Sequence, residues 1–132
     1  MKKLLTILAL AFVFITLYAY NPMDALRNSP SYIRSADFAD GAEWGYMNMY
    51  DALKGYSSIN VVIRDENGLI TGTTIGYTQA VMSMMEDDYQ EYINIANSLF
   101  SGEELSGALA GIDAAWLFKM SGNKERDIPA EY

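Results

Sequence analysis

The 132-residue chain contains no cysteine and no histidine. Without cysteine it forms no disulfide, carries no lipidated cysteine and has no thiolate nucleophile. Without histidine it lacks the commonest general base, pH-sensitive side chain and metal ligand. No phosphate-binding glycine loop is present either. These absences argue against an enzyme, and they predict a non-catalytic protein that uses no metal or cofactor.

Basic side chains are also scarce. Nine lysines and arginines stand against seventeen acids, which gives a net charge of −8. Lys2 and Lys3 precede an apolar segment, so the remaining chain has seven basic residues and a net charge of −10. Such a surface repels nucleic acid and anionic lipid headgroups, and it attracts cationic partners. It predicts a protein partner with a basic surface, although the same charge also serves solubility.

The longest apolar stretch lies at the N-terminus. Positions 4–19 hold sixteen residues without a charge, and two threonines are the only polar side chains among them. After Lys2 and Lys3, this stretch matches a cleaved signal peptide. Leu4–Tyr20 also just reaches the length of about 17 residues that an uncleaved membrane anchor requires. Either interpretation exports the rest of the chain, to the periplasm, the cell surface or the medium.

Composition divides the chain into four parts. Residues 1–20 are the signal peptide or membrane anchor, and residues 21–34, with two prolines and two serines, are predicted to be a linker. Residues 35–122 form one small domain, which is large enough for a single core. Residues 123–132 form a polar tail. Because the domain has no disulfide, apolar burial must stabilise it.

The domain is predicted to be mainly α. Three amphipathic helices, roughly 36–54, 75–100 and 102–120, carry an inserted β-hairpin, and the hydrophobic export or anchor helix precedes them. Ser35 is the predicted N-cap of the first helix. At about 100° per residue, the apolar side of this helix gathers six residues: Phe38, Ala42, Gly45, Met49, Leu53 and Tyr56.

The second and third helices have apolar faces of their own. Along the second helix the apolar residues are Val81, Met82, Met85, Tyr89, Tyr92, Ile93, Ala96, Leu99 and Phe100. Along the third they are Leu105, Leu109, Ile112, Trp116 and Met120. Asp88 and Asp113 are the exceptions on these helices. Because a buried carboxylate needs a partner, we expect each to form a polar seam with an arginine or a tyrosine hydroxyl.

Two helices contain glycines four residues apart. Gly41 and Gly45 lie on the first helix, and Gly107 and Gly111 lie on the third. This spacing lets a second helix approach closely. Each glycine also weakens its own helix by about 1 kcal/mol relative to alanine. The sequence leaves both interpretations open.

The region between the first two helices predicts a hairpin. Residues 59–73 are rich in β-forming side chains, and Asn67-Gly68 is a dipeptide preferred in tight hairpin turns. We therefore expect residues 64–66 to pair with residues 69–71. An isolated hairpin is only marginally stable, so we expect this one to lie against the helices.

Two further helix starts are predicted from capping residues. Thr73 or Thr74 is suited to cap the second helix. Ser101 followed by Glu104 has the spacing of a capping box, which would begin the third helix.

One group of side chains forms a candidate partner-binding surface on the first helix. Its members lie on the side away from the main apolar face, and they are Asp37, Asp40, Glu43, Trp44, Met47 and Asp51. Apolar anchors surrounded by carboxylates suit contact with a basic protein. In the alternative interpretation the hairpin or the final helix covers Trp44, which then belongs to the core.

Short segments of the chain resemble a known family. They are Gly45-Tyr46, Asp51-Ala52-Leu53-Lys54-Gly55 and Thr74-Ile75-Gly76, and they resemble the small helical periplasmic immunity proteins of type VI secretion systems. The resemblance covers a small part of the chain, and the cysteines usual in that family are missing. It implies an exported, helical inhibitor of a toxic effector protein.

The sequence thus predicts an exported, non-catalytic binding or inhibitor-type protein of the periplasm or cell surface, with an immunity-like role as one form. The alternative is a small accessory subunit, held in the membrane by Leu4–Tyr20 and packed on a larger complex. The N-terminus distinguishes the two. A mature start near Tyr20 favours the free binder, whereas an intact Met1 that stays with membranes favours the subunit.

Overall fold

The computed structural model describes residues 21–121 of the chain. The predicted export segment and the polar tail lie outside these residues. In chain order the described residues form α1 (Pro22–Arg27), α2 (Pro30–Arg34), α3 (Ala36–Leu53), β1 (Ile59–Arg64), β2 (Ile70–Gly76), α4 (Gln79–Leu99) and α5 (Gly102–Met120). The predicted mainly α class with a hairpin after the first long helix is confirmed. None of the helices in this range is both long and apolar enough to cross a membrane.

Two short helices, α1 and α2, occupy the segment that was predicted to be a linker. Asn21 and Ser29 are their N-caps, and each side chain accepts a hydrogen bond from a backbone N–H of the first turn. Pro22 and Pro30 take the first helical positions, where a missing N–H costs nothing. The polar and proline residues that indicated a linker are therefore helix-start signals. Met23, fully buried, ties α1 to the bundle.

Among the described residues, the closest contact between helices is that of α3 with α5, and it forms at glycines. A Cβ atom at Gly45 would collide with the carbonyl oxygen of Ala108 and lie 2.9 Å from the backbone nitrogen of Ile112. Gly41 meets Glu104 and Ala108 in the same way. Residue numbers rise together along the two helices, so the helices run parallel.

The glycines of α5 make the reciprocal contact. A Cβ at Gly107 would collide with the carbonyl oxygen of Phe38, and one at Gly111 would lie 2.7 Å from the backbone nitrogen of Tyr46. The backbones of the two helices therefore touch along both glycine pairs. The sequence interpretation of close helix approach is confirmed, and the four glycines turn out to serve one interface.

α4 completes the bundle and runs opposite to α3, since Asp88 meets Tyr56 beyond the end of α3, whereas Phe100 after the end of α4 meets Trp44 in the middle of α3. The core beneath it is made of residues from three helices: Met49, Leu53, Met85, Ala96, Ala108, Ile112 and Ala115. The predicted apolar sides of α3 and α4 are confirmed for most of their residues. Leu99 is an exception, because it is 60% exposed at the last turn of α4.

The predicted helix starts are confirmed at two positions and wrong at one. The Ser35 side chain accepts a hydrogen bond from the Phe38 N–H at 3.1 Å, as expected. The N-cap of α4 is Thr78, because strand β2 extends through Thr73 and Thr74 to Gly76. Ser101 is the N-cap residue of α5, which begins at Gly102 as expected, but its side chain does not form the hydrogen bond of a capping box.

The hairpin differs from expectation in its turn. Residues 66–68 form a three-residue loop, in which Gly68 has a φ of +82° and its N–H donates to the Asp65 carbonyl at 3.0 Å. The Asp65 side chain accepts hydrogen bonds from the N–H groups of Asn67 and Leu69. These bonds select a type I turn followed by a left-handed glycine, so Asp65 pairs with Leu69. The predicted two-residue Asn67-Gly68 turn is wrong.

The hairpin also differs in its surroundings. All six residues of β1 are exposed, on both faces of the strand. Within residues 21–121, the two strands make extensive contact only with each other. The expectation that the hairpin lies against the helices is therefore wrong. The core of the bundle is already closed by the three long helices, which leaves the hairpin no apolar surface to cover.

Candidate functional site

Four of the six side chains predicted for the partner-binding surface are exposed on α3. These are Asp37, Asp40, Met47 and Asp51. Met47 is 59% exposed and lies between two of the acids. Asp40 precedes it by about 10 Å along the helix axis and Asp51 follows it by about 6 Å, at about 1.5 Å per residue. The structure therefore brings an exposed methionine and flanking carboxylates onto one face.

Trp44 points the other way. Its indole ring packs edge-on against Phe100, with ring centroids 4.9 Å apart, and against Tyr92 at 6.5 Å. The ring is partly buried beside the main core. The alternative interpretation of Trp44 as core material therefore describes its contacts. Its aromatic neighbours are Tyr92 of α4 and Phe100, the C-cap of α4, rather than residues of the hairpin.

Glu43 is engaged by the two short helices. Arg27 of α1 donates two hydrogen bonds to its carboxylate, from Nε at 2.8 Å and from Nη2 at 3.0 Å. The Tyr32 hydroxyl of α2 donates a third at 2.6 Å. Because α1 and α2 both bind this one side chain, Glu43 connects the segment before α3 to the middle of α3.

These contacts set the protonation of the cluster. The hydrogen bonds from Arg27 hold the pKa of the Glu43 carboxyl below its usual range, and partial burial opposes them. The same bonds raise the pKa of the Arg27 guanidinium. The hydrogen bond to Glu43 also raises the pKa of the Tyr32 hydroxyl. The cluster is therefore a carboxylate, a guanidinium and a neutral phenol at neutral pH.

A mainly apolar groove of about 310 Å³ lies on this side of α3. We call it the Met47 groove, and its lining residues are Arg27, Glu43, Tyr46, Met47, Tyr50, Asp51 and Lys54. Tyr46 and Tyr50, one helical turn apart, stack with ring centroids 5.7 Å apart. Three of the predicted site residues thus line one groove, together with two aromatic rings.

The charges around the Met47 groove are of two kinds. Glu43 is paired with Arg27, and Asp51 is paired with Lys54 at 3.1 Å, so these two positions are locally neutral. Asp37 and Asp40 form no ion pair with any residue in the range 21–121. The unbalanced negative charge therefore lies at the N-terminal end of the α3 face, about two turns from Met47.

Sequence reasoning missed four residues of the groove. Lys54 had a signal, because a lysine three residues after an aspartate on a helix is a neighbour of it. Tyr46 and Tyr50 also had one, since residues four apart share a helix face. Arg27 had none, because it comes from the segment interpreted as a linker and reaches Glu43 only through the tertiary fold.

The two aspartates predicted to form polar seams do so with tyrosines. The Tyr56 hydroxyl donates to Asp88 at 2.6 Å, and the Tyr89 hydroxyl donates to Asp113 at 2.5 Å. These hydrogen bonds raise the pKa of Tyr56, and together with burial they raise the pKa of Tyr89 to about 12. The predicted tyrosine partners are confirmed. In residues 21–121 no three acidic side chains are grouped as a metal site would require.

Comparison with models of protein families, with curated proteins and with solved structures found no match to this chain. The resemblance of its short segments to immunity proteins therefore has no support from these comparisons.

Proposed function

We propose that the chain is an exported, non-catalytic protein-binding protein, and that the Met47 groove receives an apolar side chain of a partner with a basic contact surface. The observation that carries the proposal is the position of Met47, which is 59% exposed beside an apolar, tyrosine-lined groove. A methionine side chain is unbranched and polarisable, so it adapts to the shape of an apolar partner group.

The charge distribution supports a basic partner. Asp37 and Asp40 are exposed on the same helix and carry charge that no ion pair in residues 21–121 neutralises. Charges at the rim of an interface steer association and select partners by sign. The chain beyond the apolar segment has a net charge of −10, which adds long-range attraction for a cationic protein.

The rigidity of α3 supports an inhibitor-type role. The groove lies on a helix whose backbone is in contact with α5, and Arg27 and Tyr32 hold Glu43 in place at its edge. A site that is already ordered loses little conformational entropy when a partner binds. Tight capture of another protein, as by an immunity protein or another inhibitor, is the form of binding that such a site serves best.

A second form of the proposal is an accessory subunit held in the membrane by Leu4–Tyr20. That segment lies outside the described residues, and the same groove would then contact a larger membrane complex. Mass measurement of the N-terminus separates the two forms. A mature start near Tyr20 indicates a free binder, and an intact Met1 in membranes washed with carbonate indicates a subunit.

The groove itself is tested by crosslinking in the cells that make the protein. A photoreactive amino acid replaces Met47 in the full chain, and the control places it at Ile33, which is 71% exposed on α2. We expect one dominant adduct with a different protein from position 47 and none from position 33. Mass spectrometry of the adduct then identifies the partner and the segment in contact.

The charge requirement is tested on that purified partner. Asp40→Lys is expected to weaken binding about tenfold at low salt, or about 1.4 kcal/mol, and less at high salt. The matched control is Glu66→Lys in the exposed hairpin turn, which makes the same charge change far from the groove. Equal effects of the two variants, or an adduct that contains only a second copy of this chain, would contradict the proposal.

A further inference from the structure

The β-hairpin leaves an unusual amount of apolar surface in water. Six aliphatic side chains are between 40% and 66% exposed, and they are Ile59, Val61, Val62, Ile63, Leu69 and Ile70. No helix in residues 21–121 makes extensive contact with the two strands. A two-stranded hairpin is marginally stable alone, and three or more strands are needed for independent stability. The hairpin therefore lacks a third strand, and residues 21–121 do not supply one.

The two edges of the hairpin are not equivalent. On β2, Arg64 pairs with Ile70 and Ile63 pairs with Gly72, so Thr71 is an extra residue that forms a bulge. A bulge twists a strand and interrupts regular pairing, and glycines weaken the strand further. β2 thus carries features that protect an edge from pairing with another chain.

β1 carries no such protection. Its sequence, Ile-Asn-Val-Val-Ile-Arg, has no proline, glycine or lysine, and its one charge is at Arg64, the last residue. Natural proteins usually block an exposed edge with charge, proline or a covering element. An aliphatic strand with a regular, open edge is suited to accept another strand.

Charge identifies the occupant of this edge. The strands have a single charged side chain, Arg64, whereas the chain beyond the apolar segment has a net charge of −10. Two copies of so acidic a protein repel each other over most of their surface, and the hairpin strands are where they approach without that repulsion. A basic partner would instead be drawn to the carboxylates of the helices.

The exposed apolar surface is large for one element. The six aliphatic residues leave on the order of 500 Å² per copy in water, comparable with the largest apolar patch on a typical monomer. Pairing at the β1 edge covers the part of it on Ile59, Val61, Val62 and Ile63, and it also pairs the free backbone groups of that strand. Strands that pair antiparallel with their own copy form a closed, twofold interface.

We infer that β1 pairs antiparallel with β1 of a second copy, and that the two hairpins form one four-stranded sheet across a twofold axis. The order of strands in this sheet is β2, β1, β1 of the partner and β2 of the partner. The Met47 groove takes no part in it, so this dimer and the proposed binding function are independent.

The absence of cysteine makes the test simple, because a single introduced cysteine reports only its own contacts. Val61→Cys and Val62→Cys place thiols on β1, and Thr73→Cys places one on β2, directly opposite Val62. The full chain is oxidised in the cells that make it and separated on a non-reducing gel. Residues paired across strands have Cβ atoms about 5 Å apart, within reach of a disulfide.

We expect covalent dimers from Val61→Cys or Val62→Cys and none from Thr73→Cys or from Ile33→Cys on α2. Dimers from Thr73→Cys in the same yield as from Val62→Cys would show stacking of hairpin faces and overturn the edge pairing. Adducts with another protein, or monomers from all four variants, would contradict the inference that a second copy of the chain occupies the β1 edge.

A second measurement does not depend on oxidation. The full chain should sediment as a dimer, and Val61→Lys should shift it to monomer, because a lysine on an edge strand opposes pairing. Thr73→Lys is the matched control on β2 and should remain dimeric. Because both sites are exposed, the helical circular dichroism should stay unchanged in both variants. A dimer that survives Val61→Lys would contradict the inference.

Discussion

The helix pair α3–α5 and the β-hairpin use their residues in opposite ways. In the helix pair, four glycines remove side chains so that two backbones touch, and Ala42, Ala108 and Ile112 beside them are fully buried. In the hairpin, residues with large aliphatic side chains stand in water on both faces. Apolar content therefore does not decide burial in this chain. Burial follows from packing against another element: in residues 21–121 the long helices pack on one another, whereas the hairpin strands contact chiefly each other.

The glycines show the same difference at single positions. A Cβ at Gly45 or Gly111 would meet the backbone of the opposite helix, whereas one at Gly55 or Gly72 would have no neighbour within 4 Å. The contact between the helices therefore requires glycine at Gly45 and Gly111. At Gly55 and Gly72 there is room for a side chain, and glycine affects only the local flexibility of the backbone. Substitutions in matched pairs can test how far this contrast holds.

The largest difference is expected for isoleucine truncation in the two regions. Ile112→Ala removes a fully buried side chain from α5 and should lower the free energy of unfolding by about 4 kcal/mol. Ile70→Ala makes the same change on β2, where the side chain is 60% exposed, and should lower it by about 1 kcal/mol or less. Denaturant unfolding of the full chain, followed by circular dichroism, measures both. Similar losses would show that the hairpin is packed in solution.

A smaller effect is expected from adding one methyl group at a glycine. Gly45→Ala should lower the free energy of unfolding by about 3 kcal/mol, because α3 and α5 must separate to admit the Cβ atom. Gly55→Ala, which adds the same atom in open space, should be neutral or stabilising by up to about 1 kcal/mol. The two unfolding curves are compared directly. A stable Gly45→Ala variant would mean that the helices are further apart than the structure has them.

The smallest effect is expected at the ion pairs of the Met47 groove. Arg27→Met leaves Glu43 without its cation and should lower the free energy of unfolding by about 1 kcal/mol at neutral pH, since both side chains are partly exposed. Lys54→Met removes the cation paired with Asp51. This pair is more exposed than the pair of Arg27 with Glu43, so the free energy of unfolding should change by only about 0.3 kcal/mol.

The pH dependence of this effect follows from Glu43. Its pKa is lower in the folded protein, so its contribution is complete above the unfolded value of about 4.3 and is lost as the pH falls through the folded value. The difference between the parent chain and Arg27→Met should therefore shrink below about pH 4. Unfolding measured across the acid range checks this, and a constant difference would show that Glu43 is not the group responsible.

Much of the fold was predictable because its signals are local. The Ser35 cap, the apolar sides of α3 and α4 and the presence of a hairpin follow from short-range spacing, and all are confirmed. Two predictions were wrong, the cap of α4 and the turn of the hairpin, and in each case two local signals competed. Strand pairing extended β2 past the predicted cap, and the Asp65 side chain selected a longer turn than Asn67-Gly68 suggested.

The candidate site was predictable only in part. Helical spacing placed Asp40, Met47 and Asp51 on one face, and the structure has them there. The same spacing put Trp44 with them, but a residue at the boundary of two faces turns toward whichever neighbour offers apolar contact. That neighbour is α4 with its C-cap Phe100, which lies about fifty residues later in the sequence, so no local pattern could show the contact.

By itself, the sequence determined the helical class, the acidic surface and the two glycine pairs, because each is written in residue type and spacing. Only the tertiary structure decided that the glycine pairs face each other, that Arg27 binds Glu43, and that the hairpin stands in water. These are contacts between segments distant along the chain. Their free energy depends on which surfaces meet, and that is a property of the folded arrangement.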